Sequence, residues 1–382
     1  MRNQAFYIIL LFGLVSLFGD IVYEGIRSIN GPFLASLGAS AFIIGFFSGL
    51  GEFLTYSLRF FTGYFSDKKK SYWLFTIIGY LSICFLPLLA FAKSWEIAVL
   101  LLLIERTGKA IRTPARDVLI SIVGKNIGYG KSFGIHEVLD QIGAFLGPFI
   151  FFYSLKKFGN YSFAFHLMWF PCFFLVCVII ILKKIYSFAV EIKEIKQDKE
   201  SPNYSLIFYL FFIFFSIVGL VNFPIIAYHI KNTIPLSNIP LFYTLSMAID
   251  GIIALIIGNL YDRIKFKTLI VVPVFTIFIP VLIFNLNFPL LGVIILGIII
   301  GCHETILRAV IADLVRISQR GFVYGIFNTI YGFGLFIGSG IVGFLYERNF
   351  KIIWFYVFIV EIISLIFLYL QKINMKNVEK NR

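Results

Sequence analysis

The 382-residue sequence predicts an all-α membrane protein of twelve transmembrane helices arranged as two six-helix bundles. Three observations lead there. Hydrophobic residues make up 59% of the chain and charged residues only 14%, with a mean hydropathy of +0.92. A soluble domain sits near 45–50% apolar and about 25% charged. Next, unbroken runs of Ile, Leu, Phe and Val recur at about the 20-residue length that a spanning helix needs. Twelve such helices use about 240 residues and leave loops of roughly 11, which is too little for a soluble catalytic domain. Finally, one polar stretch near the middle splits the runs six and six. A membrane β-barrel is excluded, because its strands alternate polar and apolar over about ten residues.

Each span can be placed in order. The first, 5–37, is long enough to be kinked, and the second is 42–65. The third covers 72–92, the fourth 97–120, the fifth 131–155 and the sixth 163–182. The polar stretch then supplies Lys193, Glu194, Lys196, Asp198, Lys199 and Glu200, so residues 186–203 read as a linker between bundles 1–185 and 204–382. Spans seven to twelve are 204–230, 241–261, 269–284, 290–312, 322–346 and 352–370. Met1 and Arg2 before an apolar run resemble a signal peptide. No small-residue cleavage site follows, however, and Asp20 and Glu24 continue the segment, so it reads as a retained first helix.

The net charge of +13 points to nucleic acid in a soluble protein, but here its location gives another reason. With the N-terminus inside, 21 Lys and Arg residues fall on the inner side, including Lys68, Lys69, Lys70, the linker lysines and the C-terminal tail. Only Lys93, Lys156, Lys157, Lys231, Arg348 and Lys351 fall outside. This imbalance predicts cytoplasmic termini and linker in a multi-pass protein of the cell membrane, with no nucleic-acid partner. Cys84, Cys172, Cys177 and Cys302 lie in apolar spans without metal or redox spacing and read as packing residues.

The halves repeat. Gly63-Tyr-Phe-Ser-Asp67 after the second span matches Gly258-Asn-Leu-Tyr-Asp262 after the eighth. Pro32 and Ala35 match Pro224 and Ala227, and Arg112 and Asp117 match Arg308 and Asp313. Gly130, Gly134, Gly143 and Gly147 match Gly321, Gly325, Gly334 and Gly338. The nearly constant offset indicates duplicated six-helix halves, and since both start inside, the repeat is parallel.

With these residues the chain resembles the major facilitator superfamily of secondary transporters. Its signature after the second helix is Gly, three residues, Asp and a basic cluster, with an echo after the eighth. Asp262-Arg263-Ile264-Lys265 keeps that pattern closely, whereas Asp67-Lys68-Lys69-Lys70 lacks the usual Arg and later Gly. The segment from Glu105 to Asp117 resembles a fourth-helix block of uncharacterised permeases in the superfamily. Gly143 to Pro148 resembles a fifth-helix glycine-proline motif associated with exporters, with its later glycines missing. The resemblance implies a central cavity lined by helices one, four, seven and ten. It also implies that Asp67 sits beside the N-terminus of the eleventh helix, where a carboxylate meets the positive end of the dipole. Gly63 would let backbones approach closely, and Gly258, Asp262 and Arg263 would act likewise in the other half. Together they read as a gate latch.

Ionisable residues inside spans cost about 2.5–3.5 kcal/mol each on insertion scales and mark functional sites. Asp20, Glu24 and Arg27 share one face of the first span, with Tyr23 beside them, and Glu105, Lys109 and Arg112 repeat that spacing on the fourth. The fifth offers His136 and Asp140, and the tenth His303, Glu304 and Arg308. Asp20, Glu24, Arg27, Glu105, Lys109, Arg112, His136, Asp140, Glu304 and Arg308 are therefore the candidate substrate or proton pathway. Glu24 with Arg27, and Glu105 with Lys109, can also simply neutralise one another. Glu52 and Arg59 read as structural or gate residues, Arg106 and Arg116 as residues of the cytoplasmic rim, and Glu361 as isolated and peripheral.

No metal-binding His pair, phosphate loop, Walker site or catalytic triad is present in the sequence, so neither a cofactor nor an enzyme activity is expected. The expected function is secondary active transport of a small polar or zwitterionic solute by a monomer, proton-coupled and tilted toward export. The alternatives are a membrane-embedded transferase acting on a lipid-linked substrate, and an uncoupled uniporter.

Overall fold

The computed structural model describes residues 2–124, 129–186, 204–314 and 320–380, and all its regular structure is helical. The linker proposed at 186–203 lies, apart from Tyr186, outside the described residues. The chain opens with α1 (Arg2–Arg27) and α2 (Asn30–Ser36), broken at Ser28 and Ile29 where the first span was expected to kink. Pro32 sits in the first turn of α2, where its missing N–H removes no helical bond. After α3 (Ala41–Lys69) and α4 (Tyr72–Leu81), the latter continuing as a 3-10 helix to Phe91, comes α5 (Trp95–Gly124). Then follow α6 (Tyr129–Phe158), α7 (Tyr161–Leu167) and α8 (Trp169–Tyr186). Asn160 caps α7 by accepting a bond from the Phe163 N–H at 2.8 Å.

The second half opens with another broken pair, α9 (Tyr204–Val218) and α10 (Phe223–Ile230). Pro224 is the second residue of α10, as Pro32 is the third of α2, and the Asn222 carbonyl accepts from the Ile225 and Ile226 N–H groups. There follow α11 (Ile239–Ile264), α12 (Val271–Pro280), α13 (Pro289–Leu314), α14 (Arg320–Asn349) and α15 (Ile353–Lys380). Ten stretches are long and apolar enough to cross a membrane; the last, 323–374, runs through both α14 and α15. Helix α5 is not among them, because Glu105, Arg106, Lys109 and Arg112 crowd its centre.

The helices form two compact units. The first comprises Met1–Ala39, Leu58–Ile195 and Lys231–Thr244. In it α1 packs on α6 and α8, and α4 on α5. The second comprises Ser40–Ser57, Lys196–Ile230 and Leu245–Arg382, with α9 packed on α15 and α14. The first half of α3 therefore belongs with the C-terminal helices: Gly49 there abuts the Phe336 backbone of α14, with no room for a larger residue.

The duplication is visible in the packing. Gly143 and Gly147 of α6 bring their backbone onto Leu17 and Ile21 of α1, while Gly334 and Gly338 of α14 meet Phe214 and Val218 of α9. Lys70 and Lys265, equivalent residues just past the two Gly-x-x-x-Asp segments, both adopt the left-handed conformation at φ 49°.

Candidate functional site

Helix α1 places Asp20, Tyr23 and Glu24 on its buried face, each less than a tenth exposed. Helix periodicity puts Arg27 one turn further on, where its guanidinium pairs with Glu24 at 3.6 Å. The Tyr243 hydroxyl, from the first turns of α11, donates to the other Glu24 oxygen at 2.5 Å. Glu24 is thus held between a cation and a phenol.

Tyr23 is the hub of this site. Arg106 donates to its hydroxyl and lies 4.7 Å from its ring centre. Lys109 sits 4.1 Å from the same centre and Arg27 5.8 Å. Three cations around one ring use its negative face where water is scarce, and desolvation strengthens such contacts. Asp140 accepts from the Ser16 hydroxyl of α1, and Gly143, one turn on along α6, abuts Asp20, so the two acids lie close across the contact of α1 with α6. His136 lies one turn from Asp140 on α6 and is buried.

Eight of the ten candidate pathway residues lie in the first unit, and six of them, Asp20, Glu24, Arg27, Lys109, His136 and Asp140, cluster about α1. Glu105 and Arg112 belong elsewhere. They pair with each other at 3.3 Å, both almost fully buried, and Arg112 also donates to the Gly79 carbonyl at 3.1 Å and covers the Tyr80 ring. Of the two readings open for Glu105, pathway residue or partner of Lys109, the second is not what is seen: the seven-residue spacing puts Arg112 on its own side, against α4. Arg106 corrects a second expectation. It was assigned to the rim because it lies off the Glu105 face, yet it stands three residues from Lys109 and shares that residue's face toward Tyr23. That spacing was the available signal. Tyr243 carried none, since it is distant in sequence.

Glu304 and Arg308 lie on α13 in the second unit, both exposed, and α14 brings the half-buried Tyr331 against the same helix. Tyr331 also meets His303 Nδ1 at 3.3 Å and stacks near Tyr56, ring centres 4.9 Å apart. Among the gate candidates, Gly63 faces Pro114 of α5 and Gly258 faces Thr305 of α13, while Arg263 is exposed. The side chains of Asp67 and Asp262 lie outside the described residues. Lys265, in the same motif, reaches α13 and pairs with Asp313 at 3.1 Å, where the Tyr261 hydroxyl also donates. Glu361, expected to be peripheral, is fully buried on α15. Among the described residues no group of three His, Cys, Asp or Glu side chains is placed to hold a metal ion.

Comparison with known proteins agrees with this architecture. The sequence matches the family model of the Major Facilitator Superfamily over residues 6–339 and 206–380. An uncharacterised protein of Mycobacterium tuberculosis is 32% identical over 380 residues, covering 96% of this chain and 93% of its own. An uncharacterised MFS-type transporter of Methanocaldococcus jannaschii is 40% identical over 139 residues, 36% of this chain and 34% of its own. Among solved structures, the nucleoside transporter NupG superposes with a TM-score of 0.70 at 16% identity, covering 97% of this chain and 99% of its own. A bacterial homologue of the human lysosomal transporter Spinster, inward-facing and unoccupied, gives 0.70 at 13% identity over 98% of both chains.

Proposed function

We propose, from the premise that the chain belongs to the Major Facilitator Superfamily and is a multi-pass membrane transporter, that it moves a small polar or zwitterionic solute by alternating access coupled to protons. The observation that carries this reading is the placing of two acids, Asp20 and Asp140, at the contact of α1 with α6, where one shared proton would relieve the repulsion of two carboxylates. A proton carrier needs a carboxyl whose protonation changes with its neighbours. The Glu24 carboxylate and the cations Arg27, Arg106 and Lys109 lie around Tyr23, and that mixture suits a solute bearing both signs. Asp20, Glu24, Arg27, Lys109, His136 and Asp140 are the proposed pathway in the N-terminal half, with Glu304 and Arg308 in the C-terminal half. Glu105 and Arg112, saturated by each other, brace that pathway from behind.

Gly63, Asp67, Gly258, Asp262 and Arg263 form the proposed gate. The fifth-helix glycines and Pro148 favour export, and the basic residues place both termini on the cytoplasmic side of the cell membrane. The bundles 1–185 and 204–382, joined by 186–203, are the proposed moving bodies.

The test uses the full chain in liposomes with a pH-sensitive dye inside, screened against metabolites selected by thermal shift. A solute that binds should move protons across the membrane, and Asp140→Asn should reduce that movement by at least about fivefold. Flux that is driven by sodium and indifferent to a collapsed pH gradient would refute the coupling. Flux that requires ATP and ignores gradients would refute secondary transport.

A further inference from the structure

The interface between α9 and α15 holds a row of polar groups inside an otherwise apolar part of the second unit. Glu361 is 0% exposed, and neither carboxyl oxygen has a hydrogen-bond partner. One oxygen rests directly against Gly219, at the point where α9 ends and the chain unwinds before α10. Any side chain at 219 would occupy the carboxyl's seat. The same break is held from α15 by Tyr356, whose hydroxyl donates to the Val218 carbonyl at 3.1 Å.

The row continues along α15. Ser364, one turn on, donates to the Phe212 carbonyl at 3.3 Å. Phe212, Ser216 and Gly219 follow helical spacing, so Ser216 lies on the α9 face between these two contacts. Its hydroxyl is buried and has no partner. Gln371, two turns beyond Ser364 on the same face of α15, is 1% exposed, and both its side-chain polar atoms are also unpartnered. Buried polar groups are ordinarily satisfied, and a file of unsatisfied ones in a protein interior calls for an ion, water or proton to complete it.

Chemistry narrows the choice. Helix α12 carries no titratable group, and α9 carries only Tyr204 and Tyr209. Helix α14 and the turn after it put Tyr346, Glu347, Arg348 and Lys351 near the start of α15, and Arg320, Tyr324 and Tyr331 further along. The side chain of Arg320 lies outside the described residues; among the described ones, Tyr356 is the ionisable group that feels Glu361. With no cation among the described side chains to neutralise a carboxylate there, and no set of described oxygens converging as a metal ion requires, the smallest cation is the one that fits.

We propose that Glu361 is a proton-binding site of the C-terminal half, separate from the Asp20–Asp140 pair, which the polar file of Ser364, Ser216 and Gln371 connects to the far end of α15. Proton occupancy keeps α15 seated on the break between α9 and α10. Loss of the proton leaves a bare charge against Gly219 and loosens that seat. A discontinuous helix is where transporter folds place their working parts, so the break is the element that this proton biases.

Infrared difference spectroscopy on the full chain in lipid tests the proposal without any transported solute. Wild type minus Glu361→Gln at neutral pH should show a carboxylic-acid C=O band that shifts in D2O, and raising the pH should convert it to carboxylate bands. Asp140→Asn should leave that band in place, which separates this site from the pathway proposed above. Gln371→Leu should slow deuterium exchange of the band. Should Glu361→Gln fail to fold, Glu361→Asp keeps the acid and moves the band to the aspartic position. Carboxylate bands alone at neutral pH would overturn the proposal. So would a melting temperature raised by sodium chloride over choline chloride in wild type but not in Glu361→Gln, because the bound cation would then be sodium. Unchanged exchange in Gln371→Leu would overturn the connecting file.

Discussion

Asp140→Asn replaces an acceptor-only carboxylate with an amide that can donate to Asp20 while still accepting from Ser16. The local contacts survive, and the proton is no longer needed. Coupling between sites is typically worth about 1–3 kcal/mol, or roughly 5- to 150-fold. Gradient-driven accumulation should fall by that factor, while solute exchange without a gradient persists; both are read in the same liposomes. Tyr23 gives a graded test. Tyr23→Phe keeps the ring and removes the hydroxyl that Arg106 reaches, a loss of about 1.5–3 kcal/mol for a bond to a charged group. Tyr23→Ala also removes the ring face that Arg27, Arg106 and Lys109 share, at about 0.5–2 kcal/mol for each cation. Thermal melts in detergent should therefore rank wild type above Phe and Phe above Ala.

Between elements, the Glu105–Arg112 pair clamps α5 onto α4 through the Gly79 carbonyl. Glu105→Gln leaves Arg112 buried without its counter-charge, and breaking a buried pair in this way costs about 3–5 kcal/mol. Replacing both partners together, Glu105→Leu with Arg112→Met, should recover most of that loss. If the single and double variants melt alike, the pair does not clamp. The duplicated glycines give a matched experiment. Gly147→Val would drive a side chain into the Ile21 carbonyl and Gly25 of α1, and Gly338→Val into Val218 of α9. Each should lower folded yield in detergent, and by similar amounts if the two packings are equivalent. Periodicity alone made the charged faces of α1 and α5 legible. It did not say that Arg106, three residues before Lys109, belongs with Tyr23 instead of the rim, because an isolated helix shows only angles and not neighbours.

For the whole transporter, the proposed gate makes the most specific prediction. Asp67→Asn and Asp262→Asn keep the size of the side chain and remove its charge. If the carboxylates stabilise the state closed to the cytoplasm, each change should remove about 1–2 kcal/mol of that preference, roughly a five- to thirty-fold shift. A cysteine at the cytoplasmic mouth should then label faster in both variants. Equal labelling at normal expression would leave these aspartates as solvated caps. The equivalent left-handed Lys70 and Lys265 show that both copies of the motif end in the same backbone turn, so any difference between the variants would come from the side chains around them.

The sequence by itself determined the membrane environment, the helical class and the repeat of the two halves. These follow from composition, run length and backbone chemistry, which act locally along the chain and so can be read without neighbours. Only the tertiary structure decided which charges meet. Glu105 pairs with Arg112 rather than Lys109, Tyr243 reaches Glu24 across more than two hundred residues, and Glu361 is buried against a glycine instead of lying at the edge. A charge inside a span must find a partner in space, because hydrocarbon offers it none. The chain order of two helices does not say which faces they turn toward each other.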